Sequence, residues 1–162
     1  MSNAWVVNAS PVIVLSKIGQ LSLLDALGEV LLPDAVAAEI LAGETADSAR
    51  VAVAGKWARR CTPAQVPQGV LEWGLGAGES AVLAVCLEHD TATAVLDDAA
   101  ARAAARVLGI DAIGTLGVLV RAKQAGFVPQ IAPVIDDLRG AGLYLGDALV
   151  REVLVRNGEH RA

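Results

Sequence analysis

Five side chains of this sequence offer the oxygen donors that a hard cation needs, and most fall where a predicted element begins or ends. Asn8 closes the apolar run Ala4-Trp5-Val6-Val7, and Asp97 and Asp98 follow Ala94-Val95-Leu96. Glu79 opens a predicted helix, and Glu39 lies within another. Parallel α/β proteins bind ligands at the carboxyl ends of their strands. Carboxylates gathered there, with few basic neighbours, suit a divalent cation such as Mg²⁺ or Mn²⁺. The chemistry that follows is metal-assisted hydrolysis.

Each residue also has a structural reading. Asp97 and Asp98 stand between a strand and a helix, where Asp caps free amides and complements the helix dipole. The dipole alone accounts for Glu79 in a first helical turn. Glu39 suits a solvated helix face, and Asn8 suits a strand end or the following turn. Ser10 before Pro11 reads as a helix N-cap. Together the acids say more: crowded carboxylates repel unless a cation neutralises them.

The elements that must position these groups alternate. Strands are expected at Val6–Asn8, Val30–Leu32, Thr93–Leu96 and Asp111–Ile113. Helices are expected from Ser10 to Gly19, and over Leu21–Leu27, Asp34–Leu41, Glu44–Trp57, Glu79–Glu88 and Ala99–Leu108. Leu116–Gln124, Val134–Arg139 and Ala148–Arg156 complete a helical C-terminal part, while residues 59–76 read as turns rich in Pro and Gly. Strand–helix alternation implies a parallel sheet covered by helices on both faces. With no repeat or linker, residues 1–162 read as one domain.

Composition narrows the function classes. The chain has 162 residues, 54% of them hydrophobic and 19% charged, which suits a globular fold. No apolar run approaches the ~18 residues needed to cross a bilayer. The N-terminus lacks the basic region of a signal peptide, so cytoplasm is the default and no membrane partner is expected. A net charge of −5 argues against a surface coated with phosphate contacts. A local basic patch remains open, with Lys56, Arg59 and Arg60 as one candidate and Arg102, Arg106, Arg121 and Lys123 as others. Cys61, Cys86, His89 and His160 match no zinc spacing, and Cys86 reads as a buried thiol. The run Gly74-Leu75-Gly76-Ala77-Gly78-Glu79 lacks the Gly-Lys-Ser/Thr of a P-loop, and no clear strand precedes it as a dinucleotide motif requires. It reads as a flexible approach to the Glu79 helix.

In order and spacing these segments resemble the PIN-domain family, in particular its bacterial and archaeal PIN-like branch related to VapC-type toxin ribonucleases. The matching stretches are Val6-Val7-Asn8-Ala9-Ser10-Pro11-Val12-Ile13, Leu32-Pro33 with Glu39, and Gly76-Ala77-Gly78-Glu79-Ser80-Ala81. They continue through Leu96-Asp97-Asp98 with Arg102, and Ile113-Gly114-Thr115-Leu116-Gly117-Val118 followed by Arg121-Ala122-Lys123. The resemblance implies a three-layer α/β/α sandwich around a short, mostly parallel sheet. It also implies Mg²⁺- or Mn²⁺-dependent cleavage of RNA, and for many small members a toxin role with a cognate antitoxin and a homodimer.

Carried over, the first-strand acid of the family falls on Asn8, its helix glutamate on Glu39, and its later acids on Glu79 and on Asp97 or Asp98. Ser10 and Thr115 become supporting polar residues, and Arg102 and Lys123 become contacts to the RNA backbone. Asn8 departs from the usual Asp and removes one negative charge, which Asp98 would offset. Two functions are therefore expected to compete: a divalent-metal-dependent ribonuclease, and a catalytically weak module that binds RNA or protein through a degenerate metal site.

Overall fold

A computed structural model of the chain describes residues 3–43 and 47–160. The segments Ala4–Val7, Glu29–Pro33, Arg59–Cys61, Ala92–Val95 and Ala112–Ile113 form strands β1 to β5. They make one sheet in the order β3-β2-β1-β4-β5, parallel throughout. Trp5, Val6 and Val7 of β1 are buried, as are all four residues of β4. Central strands of a parallel sheet are covered on both faces, and continuous burial is the sequence consequence.

Among the described residues, ten helices join and flank the strands. They are α1 (Ala9–Lys17), α2 (Ser22–Leu27), α3 (Asp34–Ala42), α4 (Asp47–Ala54), α5 (Gln68–Leu71), α6 (Ala77–Glu88), α7 (Ala99–Val107), α8 (Thr115–Gln124), α9 (Ala132–Gly140) and α10 (Asp147–Arg156). The architecture is the expected three-layer α/β/α sandwich. Helix α1 is capped at Ile18 because Gly19 takes φ +69°, a left-handed conformation open to glycine at little cost. Helix α6 is buried nearly all round, with Ser80 through Cys86 in the interior. It packs against α3 and against β1, β2 and β4. A helix so enclosed holds its first turn rigidly, and that turn carries Glu79.

Four elements differ from the sequence expectation. Strand β3 and the single turn α5 lie in the segment read as turns. Arg59-Arg60-Cys61 has no apolar period; it is a strand because β2 offers a free edge, with Leu31 opposite Arg59. Arg59 pairs with Glu29 at 3.0 Å and Arg60 with Asp34 at 2.8 Å. Such exposed pairs add little stability, but charged side chains keep a sheet edge from pairing with another chain. Helix α4 spans Asp47–Ala54, shorter than Glu44–Trp57, and residues 44–46 lie outside the described residues. Helix α1 begins at Ala9, so its N-cap is Asn8 and not Ser10.

Leu83 sits fully buried in the middle of α6. Leu83→Ala is expected to cost about 2–5 kcal/mol through lost burial and the cavity left behind. Urea unfolding followed by circular dichroism measures it. A loss under about 1 kcal/mol would mean that α6 is not the interior helix described here.

Candidate active site

The strand order reverses direction at β1. The chain passes from β1 outward to β2 and β3, then returns to place β4 on the other side of β1. Such a switch point leaves a crevice beyond the carboxyl ends of the two strands, where α/β proteins bind ligands. Asn8 leaves β1 and Asp97 leaves β4 at this crevice. Their register is tight, since Val7 lies opposite Val95 and the Asn8 amide donates to the Val95 carbonyl at 3.1 Å.

Asn8 is 5% exposed, although its side chain makes no capping bond to α1. Its Nδ2 faces Glu79 Oε1 at 3.5 Å, and its buried Oδ1 has no hydrogen-bond partner among the described residues. An orphaned buried acceptor is costly. Glu39 approaches from α3, where its Oε1 accepts the Gly78 amide at 3.3 Å. A Cβ at Gly78 would lie 2.8 Å from Glu39 Oε1 and 3.1 Å from Asn8 Oδ1. Gly78 is therefore no flexible approach. It is a buried residue in the first turn of α6 whose missing side chain lets the amide and carboxylate oxygens draw together.

Asp97 forms the other wall. Its Oδ1 accepts the Thr115 amide at 2.7 Å, and its Oδ2 accepts the Thr115 hydroxyl at 2.7 Å and the Ser10 hydroxyl at 3.3 Å. The first turn of α8 thus holds this carboxylate, with its dipole favouring the negative charge. Thr115 is fully buried. Ser10 links Asp97 back across the β1–β4 crevice. Arg102 folds onto the strand end that carries Asp97, where one nitrogen, Nη1, donates to the carbonyls of Leu96 at 3.2 Å and of Asp97 at 2.5 Å.

Two candidates from the sequence have structural partners. Asp98 is the N-cap of α7, its Oδ2 accepting the Ala101 amide at 2.9 Å, which is the structural reading of this residue. Lys123 donates to Glu159 Oε2 and to the Asn157 carbonyl, both at 2.7 Å. Its ammonium therefore tethers the C-terminal segment to α8 and is not held out for a phosphate. Arg121 lies over the Trp5 ring, 5.2 Å from its centroid. Burial pushes the Cys86 thiol up to about 12, so it is no nucleophile at neutral pH.

Asn8, Glu39 and Glu79 thus meet on one side of the crevice, and Asp97 with Ser10 and Thr115 on the other. Among the described residues, no three Asp, Glu, His or Cys side chains converge into a ready metal cluster. The donors are nonetheless all oxygen, one of them is an orphaned buried amide, and a glycine keeps the space beside it clear. That set fits one hard cation.

The α/β/α sandwich carries acids at its switch point. The family model described as a PIN domain matches residues 4–159, and the chain belongs to the PIN-domain family, in general a nuclease-type fold. No curated protein matches the sequence. PIN domains generally use divalent metals and typically bind RNA, and some have antitoxin partners. Among the described residues, no helix is long and apolar enough to cross a membrane.

Two outcomes check this geometry. Gly78→Ala brings a Cβ against Glu39 and Asn8, whose side-chain ends can yield, while Ala gains about 1 kcal/mol over Gly in a helix. Thermal stability is expected to hold while Mn²⁺ affinity falls at least about tenfold, roughly 1.4 kcal/mol; unchanged affinity by calorimetry would contradict the close approach.

The second concerns Glu159. Burial raises its carboxyl, but the Ile131 and Ala132 amides and Lys123 outweigh this and hold it below the ordinary range. A depressed carboxyl stabilises above its unfolded pKa and loses that stability as pH falls through the folded value. Glu159→Gln should therefore lower stability by about 1–3 kcal/mol at pH 7 and flatten the acid limb of its pH profile. Parallel profiles would overturn the assignment.

Proposed function

We propose that this PIN-domain protein is a divalent-metal-dependent ribonuclease that cleaves RNA phosphodiesters. The single observation that carries the reading is the buried Asn8 Oδ1, without a hydrogen-bond partner among the described residues, on the Glu39 and Glu79 side of the crevice. Mg²⁺ or Mn²⁺ would be held by Asn8, Glu39, Glu79 and Asp97. Bound there, the ion supplies Lewis-acid stabilisation of phosphoryl oxygens and lowers the pKa of a coordinated water.

The remaining residues act by position. Thr115 and Ser10 fix both oxygens of Asp97, so the carboxylate needs no reorientation as charge develops. Arg102 secures the backbone beneath Asp97 with one nitrogen. Its other guanidinium nitrogens make no hydrogen bond among the described residues and are available to a phosphate. Asp98 serves the helix and is left out of the ligand set.

A role as the toxin of a toxin–antitoxin pair, with a cognate antitoxin and a homodimer, extends this proposal and is supported by family membership. One observation favours a second reading. With an amide at position 8 and no converging trio of acids among the described residues, the site is one charge short. A catalytically weak module that binds RNA or protein fits that shortage.

Cleavage of end-labelled RNA in Mg²⁺ or Mn²⁺ separates the two. The nuclease reading expects cleavage that is abolished by EDTA and by Glu79→Ala, with a loss of at least about 100-fold, or 2.7 kcal/mol. Equal cleavage by Glu79→Ala would contradict it. The weak-module reading expects no turnover and Mn²⁺ binding that tightens in Asn8→Asp; unchanged affinity in that variant would count against it.

A further inference from the structure

From the Asp97 end of the acidic group runs a cleft of about 360 Å³ whose apolar walls the proposed chemistry does not use. This volume is within the range of small-ligand sites. One end is formed by Asp97, Arg102 and Gly114, the same groups that close the crevice. The walls are apolar: Val120 from α8, Leu143 and Leu145 from the loop before α10, and Leu149 and Val153 from α10 itself. Tyr144 stands at the lip, 90% exposed.

Each feature selects for a flat, partly apolar group attached to an anion. Tyr144 is the only tyrosine of the chain and one of five aromatics, yet it is left almost wholly in water. An exposed aromatic plate is a stacking surface for a nucleobase. Its loop is held in place: Arg139 Nη2 donates to the Leu145 carbonyl at 2.6 Å and pairs with Asp147 at 3.0 Å. Gly114 keeps the passage toward Asp97 open, since a Cβ there would lie 3.0 Å from Asp97 Oδ1 and 3.6 Å from Arg102 Nη1. Arg102, with donors to spare, marks where a phosphate would sit between plate and acids.

We infer that this cleft is a base subsite: it takes one unpaired nucleobase, stacked on Tyr144, and presents the attached phosphate to Arg102 and the acidic group. The inference rests on the reading of the crevice as an RNA site, and its new content is the place where a base is held. Bases in a duplex are stacked and paired and cannot enter a side cleft without being extruded, which costs energy. The arginine at the cleft's end favours an anionic nucleotide over an apolar protein segment, which would not need it.

The test is equilibrium binding, without divalent metal, of a fluorescein-labelled single-stranded RNA 10-mer, its duplex, and an abasic chain of equal length. Tyr144→Ala, Tyr144→Leu and Tyr144→Trp are compared, and exposure of position 144 makes each compatible with folding. The single strand should bind at least about fivefold tighter than the duplex or the abasic chain. Tyr144→Ala and Tyr144→Leu should remove that advantage, and Tyr144→Trp should keep it, because the contribution is aromatic stacking.

Equal binding of the abasic chain, full binding by Tyr144→Ala, or no RNA binding at all would overturn the inference. So would retention by Tyr144→Leu together with capture of a leucine-rich peptide, which would make the occupant a protein. The two proposals fail separately. Base-dependent binding without cleavage would sink the nuclease and leave the subsite standing; cleavage indifferent to Tyr144 and to the base would do the reverse.

Discussion

The pairing of β1 with β4 is the constraint on which the rest depends. These strands are not neighbours in sequence, and they meet because the chain reverses its course across the sheet. Once Val7 lies opposite Val95, Asn8 and Asp97 must leave the sheet at the same crevice. A slip of one residue in either strand would turn that strand's side chains to the opposite face and part Asn8 from Asp97. The buried, β-branched and aromatic residues of β1 and β4 set that register, so the core fixes the spacing of the polar groups above it.

From this pairing the site is assembled by helix starts. The first turn of α8 holds Asp97, and the first turn of α6 brings Glu79 and an amide that donates to Glu39. Helix N-termini carry unsatisfied amides and a partial positive charge, so they lower the cost of gathering acids. They do not remove it. An amide at position 8 eases the repulsion further, but it also weakens the field that would hold a cation. Asn8 Oδ1 is left buried and without a hydrogen-bond partner among the described residues, on the side of the crevice that holds Glu39 and Glu79, and a cation would suit it.

Much of the fold is legible in the sequence because the signals are strong. Four of the five strands include short apolar runs, and helices such as α6 and α7 have clear starts. Strand β3 is not legible: Arg59-Arg60-Cys61 carries no strand pattern and owes its conformation to the edge of β2. The cap of α1 falls earlier than Ser10-Pro11 suggests, because tertiary contact gives the Ser10 hydroxyl to Asp97. Among the proposed ligands, Asn8, Glu79 and Asp97 stand out by their positions at the ends of elements, whereas Glu39, in mid-helix, is singled out by the family resemblance. The partners of Lys123 lie more than thirty residues away in sequence, and no local pattern announces them. Gly78 is opaque for a related reason, since its role depends on atoms from Asn8 and from α3. Tyr144 has a visible signal, a lone tyrosine between two leucines in an aromatic-poor chain, but only the cleft gives it meaning.

The proposed function requires Asn8, Glu39, Glu79 and Asp97 to draw together around one divalent cation. A crystal soaked in Mn²⁺, with diffraction data collected to reveal anomalous scattering, tests it most directly. The account predicts one anomalous peak in the crevice between β1 and β4, within about 2.0–2.2 Å of Asn8 Oδ1 and of oxygens from the three carboxylates. A peak elsewhere, or none in the crevice at saturating Mn²⁺, would contradict it.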